Sequence, residues 1–470
     1  MTLRALLAGA ALALAGCAPV GPDYVRPDFA LPQAYRDAPG SPGAPLRVDW
    51  WTLFGDAKLN DLVASALARN SDVRLAVARI EEADANLREA NATFLPQVDL
   101  NTVPTRSRIS STLATPLPAG IPVVRDNVRL TATTSFELDF WGKLRRGVEA
   151  VRANALGTRY AKDVVVLSLA GLTAQAYFSL RSLDAQIAST RQTLASRDEA
   201  LTYVRNRARG GIASDLDLSQ AETARADSAV QLRDLLRQRA LAEHQLGILT
   251  GRLDLADPGG DLMALPAPPL PPPGLPSDLI ARRPDIQQAE QALIAANAQI
   301  GVARAAMLPT ISLTGLDGWE SKALSSLVQG TSAIWSLGFA LTLPIFDWGR
   351  LEARTDAAIA RQHQQVALYQ KSIETGFREV ADALANTQQT TQAEADYVTR
   401  LEAARRALRL AKLRYESGYS AYLEVLDAQR TANDAELAFV RNRQLRLSAS
   451  VDLMKALGGG WAPEMAGKYP

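Results

Sequence analysis

Several residue types are scarce in this chain, and each scarcity excludes a class of protein. One cysteine and two histidines rule out a disulfide scaffold and almost any zinc site built from several Cys or His ligands. Lys and Arg number 51 against 50 Asp and Glu, so the clustered basic excess of a nucleic-acid-binding protein is missing. After residue 17, no apolar run approaches the ~20 residues of a membrane-spanning helix. Aromatic residues make up only 6%, but they are clustered.

The first seventeen residues have the features of a secretion signal. Arg4 supplies a positive charge, and the short apolar stretch from Ala5 to Ala15 ends in small residues. The run Leu14-Ala15-Gly16-Cys17 resembles the bacterial lipobox, in which residues 1–16 are removed and the cysteine is acylated. This resemblance predicts a diacylglycerol and an N-acyl lipid on Cys17 and no other cofactor. Ala18 in the next position favours the outer membrane. The alternative is an ordinary signal peptide with an incidental cysteine.

The rest of the chain is an internal duplication. Asn70-Ser71-Asp72-Val73 recurs as Arg283-Pro284-Asp285-Ile286, and Trp141-Gly142-Lys143-Leu144 recurs as Trp348-Gly349-Arg350-Leu351. Each copy therefore predicts a helix, two strands, a long helix, a glycine turn and a returning helix. A proline-rich run at 266–274 predicts a stiff, extended connector between the copies.

Two segments, 128–140 and 333–345, alternate between apolar and polar residues. A period of two predicts half-buried strands of about 10–13 residues, and similar strands are expected after Pro96 and Pro309. A soluble sandwich is the commoner source of such alternation, but the secretion signal and the aromatic residues at the strand ends favour a membrane barrel. These aromatic residues are Phe94, Phe136, Phe140, Trp141, Phe346 and Trp348.

Four strands per chain cannot close a barrel, and an open edge is not tolerated in lipid. Copies of the chain must therefore share one barrel. Two copies would give eight strands with a filled interior, and three would give twelve strands with room for a lumen. We predict three.

Two proline-free stretches, 141–209 and 348–416, predict helices of roughly 100 Å each. Apolar residues three and four apart predict coiled-coil packing. Glycines then reverse the chain into return helices at 214–249 and 421–457. Helices at 58–94 and 277–308 are expected to precede the strands.

Three motifs resemble one protein family. They are LPSDLIARRPDI at 275–286, LPIFDWGR at 343–350 and YLEVLDAQR at 422–430. Together with the duplication, they resemble the outer-membrane efflux proteins of the TolC type, and most closely the OprM-like, NodT-family lipoproteins of multidrug exporters. The resemblance implies a mostly helical chain with membrane strands. It would form a homotrimer in which a twelve-stranded β-barrel is continued by a twelve-helix coiled-coil α-barrel through the periplasm.

The duplication and the resemblance together predict the division of the chain. A signal peptide (1–16) is followed by a lipid-anchored segment with equatorial contacts (17–57) and the first repeat (58–250). A proline-rich equatorial connector (251–276), the second repeat (277–457) and a C-terminal equatorial tail (458–470) complete the chain.

The resemblance also assigns site residues. Leu423 and Asp427 match the closing rings of the tunnel, where three leucines would form a dry constriction and three carboxylates a cation-preferring ring. Glu416 departs from the family, which often has a basic residue there, so a latch copied from relatives is not assumed. Periplasmic adaptor hairpins are expected to dock at the two turns, on Gly211, Ile212, Ala213, Ser214, Gly418, Tyr419 and Ser420.

No residue pattern indicates catalysis. Phosphate-loop, zinc-protease and nucleophile-elbow motifs are missing. His244 and His363 lie in helical repeats, and Glu81, Glu82 and Asp84 are typical of an exposed helix face. Together with these missing motifs, the resemblance implies a non-enzymatic, metal-free exit duct in the outer membrane of a Gram-negative bacterium.

This duct would pass drugs or other small molecules from a resistance-nodulation-division pump and an adaptor, and it would contact outer-membrane lipid. The alternatives are a type I protein-secretion duct and a non-conducting structural coiled-coil lipoprotein.

Overall fold

A computed structural model describes residues 19–30, 32, 34–35, 46–110, 112, 118, 120, 122–266, 271 and 278–461. Its helices are α1 Ala57–Arg69, α2 Ser71–Ala92, α3 Lys143–Arg209, α4 Asp215–Thr250, α5 Asp278–Arg282, α6 Pro284–Ala305, α7 Arg350–Glu416 and α8 Tyr422–Ala456. Its strands are β1 Gln97–Arg108, β2 Val124–Leu138, β3 Thr310–Ser321 and β4 Ala333–Thr342. This order confirms the predicted repeat unit in both copies.

The chain forms two compact units. Of the described residues, those within 19–27, 81–157 and 290–368 form the first unit, and those within 28–80, 158–289 and 369–461 form the second. The first unit holds the four strands, and the second holds the two turns that join the long helices to their return helices. The signal peptide, Cys17, most of the proline-rich run 266–274 and the tail after Trp461 lie outside the described residues.

The strands of the first unit form one antiparallel sheet in the order β1-β2-β3-β4. In the register, Leu100, Ala132, Asp317 and Trp335 lie in one row across the sheet. Both copies therefore contribute to a single sheet, and β2 joins β3 across the repeat boundary. The unpaired backbone groups of β1 and β4 are left at its two edges, as a barrel shared between copies requires.

The two faces of the sheet differ in chemistry. One face is mainly apolar, with Asp317 in its central part, and Trp335 and Phe339 on it are 78% and 76% exposed. Its apolar residues include Val98, Leu100, Leu130, Ala132, Leu313, Trp319, Trp335, Leu337 and Phe339. The opposite face is mainly polar and includes Asp99, Asn101, Thr131, Thr133, Ser135, Ser312, Thr314 and Ser336. An apolar outer face and a polar inner face are typical of membrane barrels.

Residues 19–27 also belong to the first unit. The Val20 amide donates to the Trp141 carbonyl over 2.9 Å. The Arg26 guanidinium donates to both carboxylate oxygens of buried Glu290 over 2.7 and 2.8 Å. The N-terminal segment is thereby fixed to α6 and to the junction between β2 and α3.

The long helices α3 and α7 confirm the predicted helices, although each begins two residues later than expected. Gly142 and Gly349 precede them with φ of 76° and 79°, a conformation outside the helical region. Among the described residues, α3 contains one window that is long and apolar enough to cross a membrane by length and composition, and half of that window is buried within the protein.

The helices that precede the strands were predicted as continuous, which was wrong. The first breaks at Asn70, whose Oδ1 accepts from the Asp72 amide over 2.7 Å while its Nδ2 donates to the Leu249 carbonyl over 3.1 Å. The second breaks at Arg283, because Pro284 cannot donate the amide proton of a continuing helix. Both breaks fall on the repeated motif at 70–73 and 283–286.

The second unit has its main core where the segment before α1 meets the long and return helices. Trp50 and Phe54 of a short 3-10 helix are buried there. Their neighbours in this core include Leu59, Leu62, Ala174, Phe178, Leu246, Leu262, Val440, Leu447 and Met454. This core therefore contains residues from both sides of the proline-rich run.

Candidate functional site: the turns between the paired helices

The predicted docking and gate residues lie together in the second unit. Residues 210–214 form the first turn, between α3 and α4, and residues 417–421 form the second turn, between α7 and α8. Ile212 and Tyr419 are 70% and 80% exposed at these turns. Each turn thus exposes one large side chain to solvent.

Both turns reverse the chain through a left-handed glycine. Gly211 has φ 74° and Gly418 has φ 80°, a region that other residues enter at a cost. The Ile212 amide donates to the Arg207 carbonyl over 2.9 Å, and the Tyr419 amide donates to the Arg414 carbonyl over 2.8 Å. These are the backbone bonds that close the C-terminal ends of the long helices.

The two turns differ in how the following helix is capped. Ser214 and Asp217 form a reciprocal capping box at the start of α4, with the Asp217 amide 3.1 Å from Ser214 Oγ. Ala421 is the corresponding residue before α8, and it provides no side-chain cap. The buried Oγ of Ser420 has no hydrogen-bond partner among the described residues. The second turn therefore lacks a capping contribution of about 1 kcal/mol that the first turn has.

Behind the turns, α3, α4, α7 and α8 pack through a small apolar core, the tip cluster. It consists of Leu201, Val204, Ala221, Ala411, Tyr422 and Val425. The Tyr415 ring lies beside it, with its centroid 5.3 Å from that of Tyr422 and 6.3 Å from that of Tyr203. Burial raises the pKa of both Tyr415 and Tyr422, so their hydroxyl groups stay neutral at physiological pH.

Arg207 joins the first helical pair to the second. Its guanidinium lies 5.6 Å from the Tyr203 ring centroid and 5.5 Å from that of Tyr415. It also donates to the Tyr203 hydroxyl over 3.0 Å, and this hydrogen bond raises the pKa of Arg207. Tyr415 is on α7 and Arg207 is on α3, so relative movement of the two pairs would break this contact.

The two predicted gate residues, Leu423 and Asp427, occupy the exposed face of the first turns of α8. Leu423 is 59% exposed, whereas its neighbours Tyr422 and Val425 are buried in the tip cluster. Asp427 lies one turn further on, and its carboxylate accepts from Arg430 over 2.7 Å. The helix is therefore anchored on one face and presents a leucine and an ion pair on the other.

A cavity of about 250 Å³ lies between α3, α7 and α8, next to the tip cluster. Glu416 lines it together with Lys412, Tyr203 and Gln429. The buried Oε1 of Gln429 has no hydrogen-bond partner among the described residues. Within the described part of the chain, no group of three His, Cys, Asp or Glu residues could hold a metal ion.

Sequence reasoning found the turns and the exposed pair but missed two neighbours. Arg430 follows Asp427 by three residues, a spacing that brings side chains together on a helix, so this partner could have been found. The contact between Arg207 and Tyr415 joins residues far apart in sequence, and no local pattern indicates it.

A family model described as outer membrane efflux protein matches residues 62–252 and 275–459. The chain belongs to the outer membrane efflux protein family. The two matched segments nearly coincide with the two predicted repeats, 58–250 and 277–457.

Curated and solved relatives extend over nearly the whole chain. It is 37% identical to the outer membrane protein OprJ of Pseudomonas aeruginosa, over 96% of this chain and 94% of OprJ. It is 36% identical to the toluene efflux pump outer membrane protein TtgF of Pseudomonas putida, over 96% and 95% of the two chains. The solved CmeC outer membrane channel of Campylobacter jejuni matches with a TM-score of 0.87 and 26% identity, over 95% and 96%.

These relatives confirm the predicted fold, location and general role. The chain is one protomer of a trimeric outer-membrane channel, whose three four-stranded sheets form one barrel continued by helices. It serves as the exit duct of a tripartite efflux system. The family consists of channel proteins, and its members act together with an adaptor and a pump.

Proposed function

We propose that this exit duct is closed at its periplasmic end by two rings, one of Leu423 and one of Asp427, and opens when an adaptor docks on the turns. It then passively conducts small molecules, including apolar ones such as the toluene in the name of its relative TtgF. The observation that carries the proposal is the exposure of Leu423 on a helix whose opposite face is buried.

The exposure of Leu423 at the start of α8 has a physical explanation in a trimer. Three copies placed around the threefold axis bring three leucines together, and a ring without polar partners excludes water. Tyr422 and Val425 hold the helix from behind through the tip cluster. Closure therefore buries apolar surface that the single chain leaves exposed.

The polar ring combines both signs of charge. Each Asp427 is 2.7 Å from Arg430, so the close approach of three carboxylates is partly compensated. Removing the carboxylates alone would leave three arginines, and the ring would favour anions. The charge at position 427 thus determines which ions approach the constriction.

The second turn is the element proposed to move. It lacks the capping box that holds the first turn, and Arg207 contacts Tyr415 across the two helical pairs. Opening would separate these two side chains while each helix stays intact. Exposed Ile212 and Tyr419 would supply apolar contacts for the adaptor, together with Gly211, Ala213, Ser214, Gly418 and Ser420.

Two further parts of the proposal rest on the resemblance to lipoproteins of this family. Cys17 would carry the acyl chains that anchor the protein to outer-membrane lipid, and the pump would be of the resistance-nodulation-division type.

The gate is tested by the double variant Leu423→Ala/Asp427→Ala in a planar lipid bilayer. We expect the resting conductance to rise and the cation preference to fall, while trimers still assemble, because alanine favours the helix. The duplication supplies a matched control: Leu216 and Gln220 occupy the corresponding positions after the first turn. Leu216→Ala/Gln220→Ala should conduct like the wild type. A double variant at 423 and 427 with unchanged conductance and selectivity would contradict the proposed gate.

A further inference from the structure

The polar face of the sheet carries a group of charges near the end that bears the loops between strands. Arg125 and Arg129 lie on β2, and Glu320 lies opposite Arg129 on β3. The sequence from 109 to 123 contains no charged residue, and Lys322 is the only charged residue between β3 and β4. In the trimer this face lines the barrel lumen, and this end is the exit.

The three side chains are partly paired. Arg129 Nε lies 3.7 Å from a Glu320 carboxylate oxygen, and Asn127 donates to the other oxygen over 2.7 Å. The Nε atom of Arg129 has no hydrogen-bond partner among the described residues. Arg125 donates from its Nε to the Pro122 carbonyl over 3.4 Å. Each chain therefore contributes two positive charges and one negative charge.

Toward the periplasm, the polar face changes character. Hydroxyl and amide side chains follow Arg129 and Glu320, among them Thr131, Thr133, Thr314 and Asn101. Acidic residues return only near the base of the sheet. There Asp99 accepts from Gln97 over 3.0 Å, and Glu137 is paired with Lys143 over 3.0 Å. The excess positive charge is thus confined to the outer end.

We infer that Arg125, Arg129 and Glu320 form a charged ring around the exit of the lumen, which favours anionic solutes there. With three chains the ring carries three excess positive charges. It selects independently of the proposed Asp427 ring. The ring requires only the trimeric barrel, so it would exist whether or not the proposed periplasmic gate does.

The dimensions of the barrel allow such a ring to act. Twelve strands about 4.8 Å apart and tilted by about 40° give a backbone radius of about 12 Å. Arginine side chains that reach inward lie roughly 8 Å from the axis, which is within the Debye length of about 10 Å at 0.1 M salt. At that distance, three unit charges change the local concentration of a monovalent ion about threefold.

The ring is tested by reversal potentials of single trimers in a potassium chloride gradient across a planar bilayer. Arg129→Gln should lower the chloride-to-potassium permeability ratio about threefold or more, and Glu320→Gln should raise it by a similar factor. The matched control is Arg106→Gln. Arg106 lies on the opposite, lipid-facing side of the sheet, 3.5 Å from Asp126, so this substitution removes the same charge outside the lumen.

Opposite shifts for the two lumen variants, with little shift for Arg106→Gln, would support the ring. An equal shift for Arg106→Gln would overturn it, because the effect would then come from surface charge in general. The same variants are measured with Leu423→Ala/Asp427→Ala, in which the proposed gate no longer limits the current. If no lumen variant shifts the ratio in either background, the ring is refuted, whatever the double variant itself does.

Discussion

A pair of buried charges fixes the connector between the repeats, and its removal has a calculable effect. Arg181 on α3 and Asp257 in the connector are 3% and 7% exposed, and they form an ion pair. Asp257 also accepts from the Gly259 amide over 2.9 Å, and its own amide donates to Glu243 over 2.6 Å. Arg181 is thus the main positive partner of a carboxylate that is shielded from water.

Arg181→Met keeps most of the side-chain volume but leaves the Asp257 carboxylate buried without its partner. Such a loss typically costs about 3–5 kcal/mol. We expect the lower end, because the Gly259 amide and Lys58, 4.0 Å away, still face the carboxylate. Local opening of the connector should then become on the order of 100-fold more frequent.

Hydrogen–deuterium exchange of the peptide covering residues 253–262 measures this opening directly. Exchange should accelerate in Arg181→Met and recover largely in Arg181→Met/Asp257→Asn, where the buried charge is removed as well. Arg191→Met provides the control, since Arg191 is exposed on the same helix. Exchange in Arg181→Met that matches the wild type would refute the view that this pair holds the connector.

Three further changes have defined outcomes. Tyr415→Leu removes one of the two aromatic rings that contact Arg207, an interaction of about 0.5–1 kcal/mol. Bilayer recordings should therefore show a resting conductance above that of the wild type but below that of Leu423→Ala/Asp427→Ala. An unchanged conductance would contradict a role of this contact in keeping the duct closed. Burial raises the pKa of Asp163, so the folded state binds the proton more tightly and stability falls as pH rises through that pKa. Asp163→Asn should therefore raise the trimer melting temperature at pH 7, and this temperature should increase less when the pH is lowered than it does in the wild type. An unaltered pH dependence would contradict the raised pKa of Asp163. Cys17→Ala should abolish incorporation of labelled palmitate; persistent labelling would contradict acylation at this residue.

Much of the fold follows from periodicity in the sequence. The alternating segments became β2 and β4, and the proline-free stretches became α3 and α7, because each pattern extends over many residues. The helix breaks at Asn70 and Arg283 were missed although the motif around them was recognised. Pro284 should have predicted the second break, because proline cannot donate the amide proton of a continuing helix. The capping side chain of Asn70 is a weaker local signal within a long helical pattern.

Contacts between distant segments could not be predicted in this way. The pairing of Arg26 with Glu290 and the stacking of Arg207 on Tyr415 depend on how helices pack. Exposed Leu423 and Asp427 were found through a family motif. Their partner Arg430 could have been found from its spacing of three residues, but the exposure of Leu423 opposite the buried Tyr422 and Val425 became visible only in the structure.

The duplication explains why one turn is proposed to move and the other to stay. Both turns use a left-handed glycine, and Leu216 and Leu423 occupy equivalent, exposed positions on the following helices. Ser214 caps the first of these helices, whereas Ala421 replaces it before the second. The next helical turn carries Gln220 in the first copy and the ion-paired Asp427 in the second. A loss of about 1 kcal/mol of capping and the gain of one ion pair therefore distinguish two copies of the same supersecondary unit. We propose that these small local differences give only one of them the role of a gate.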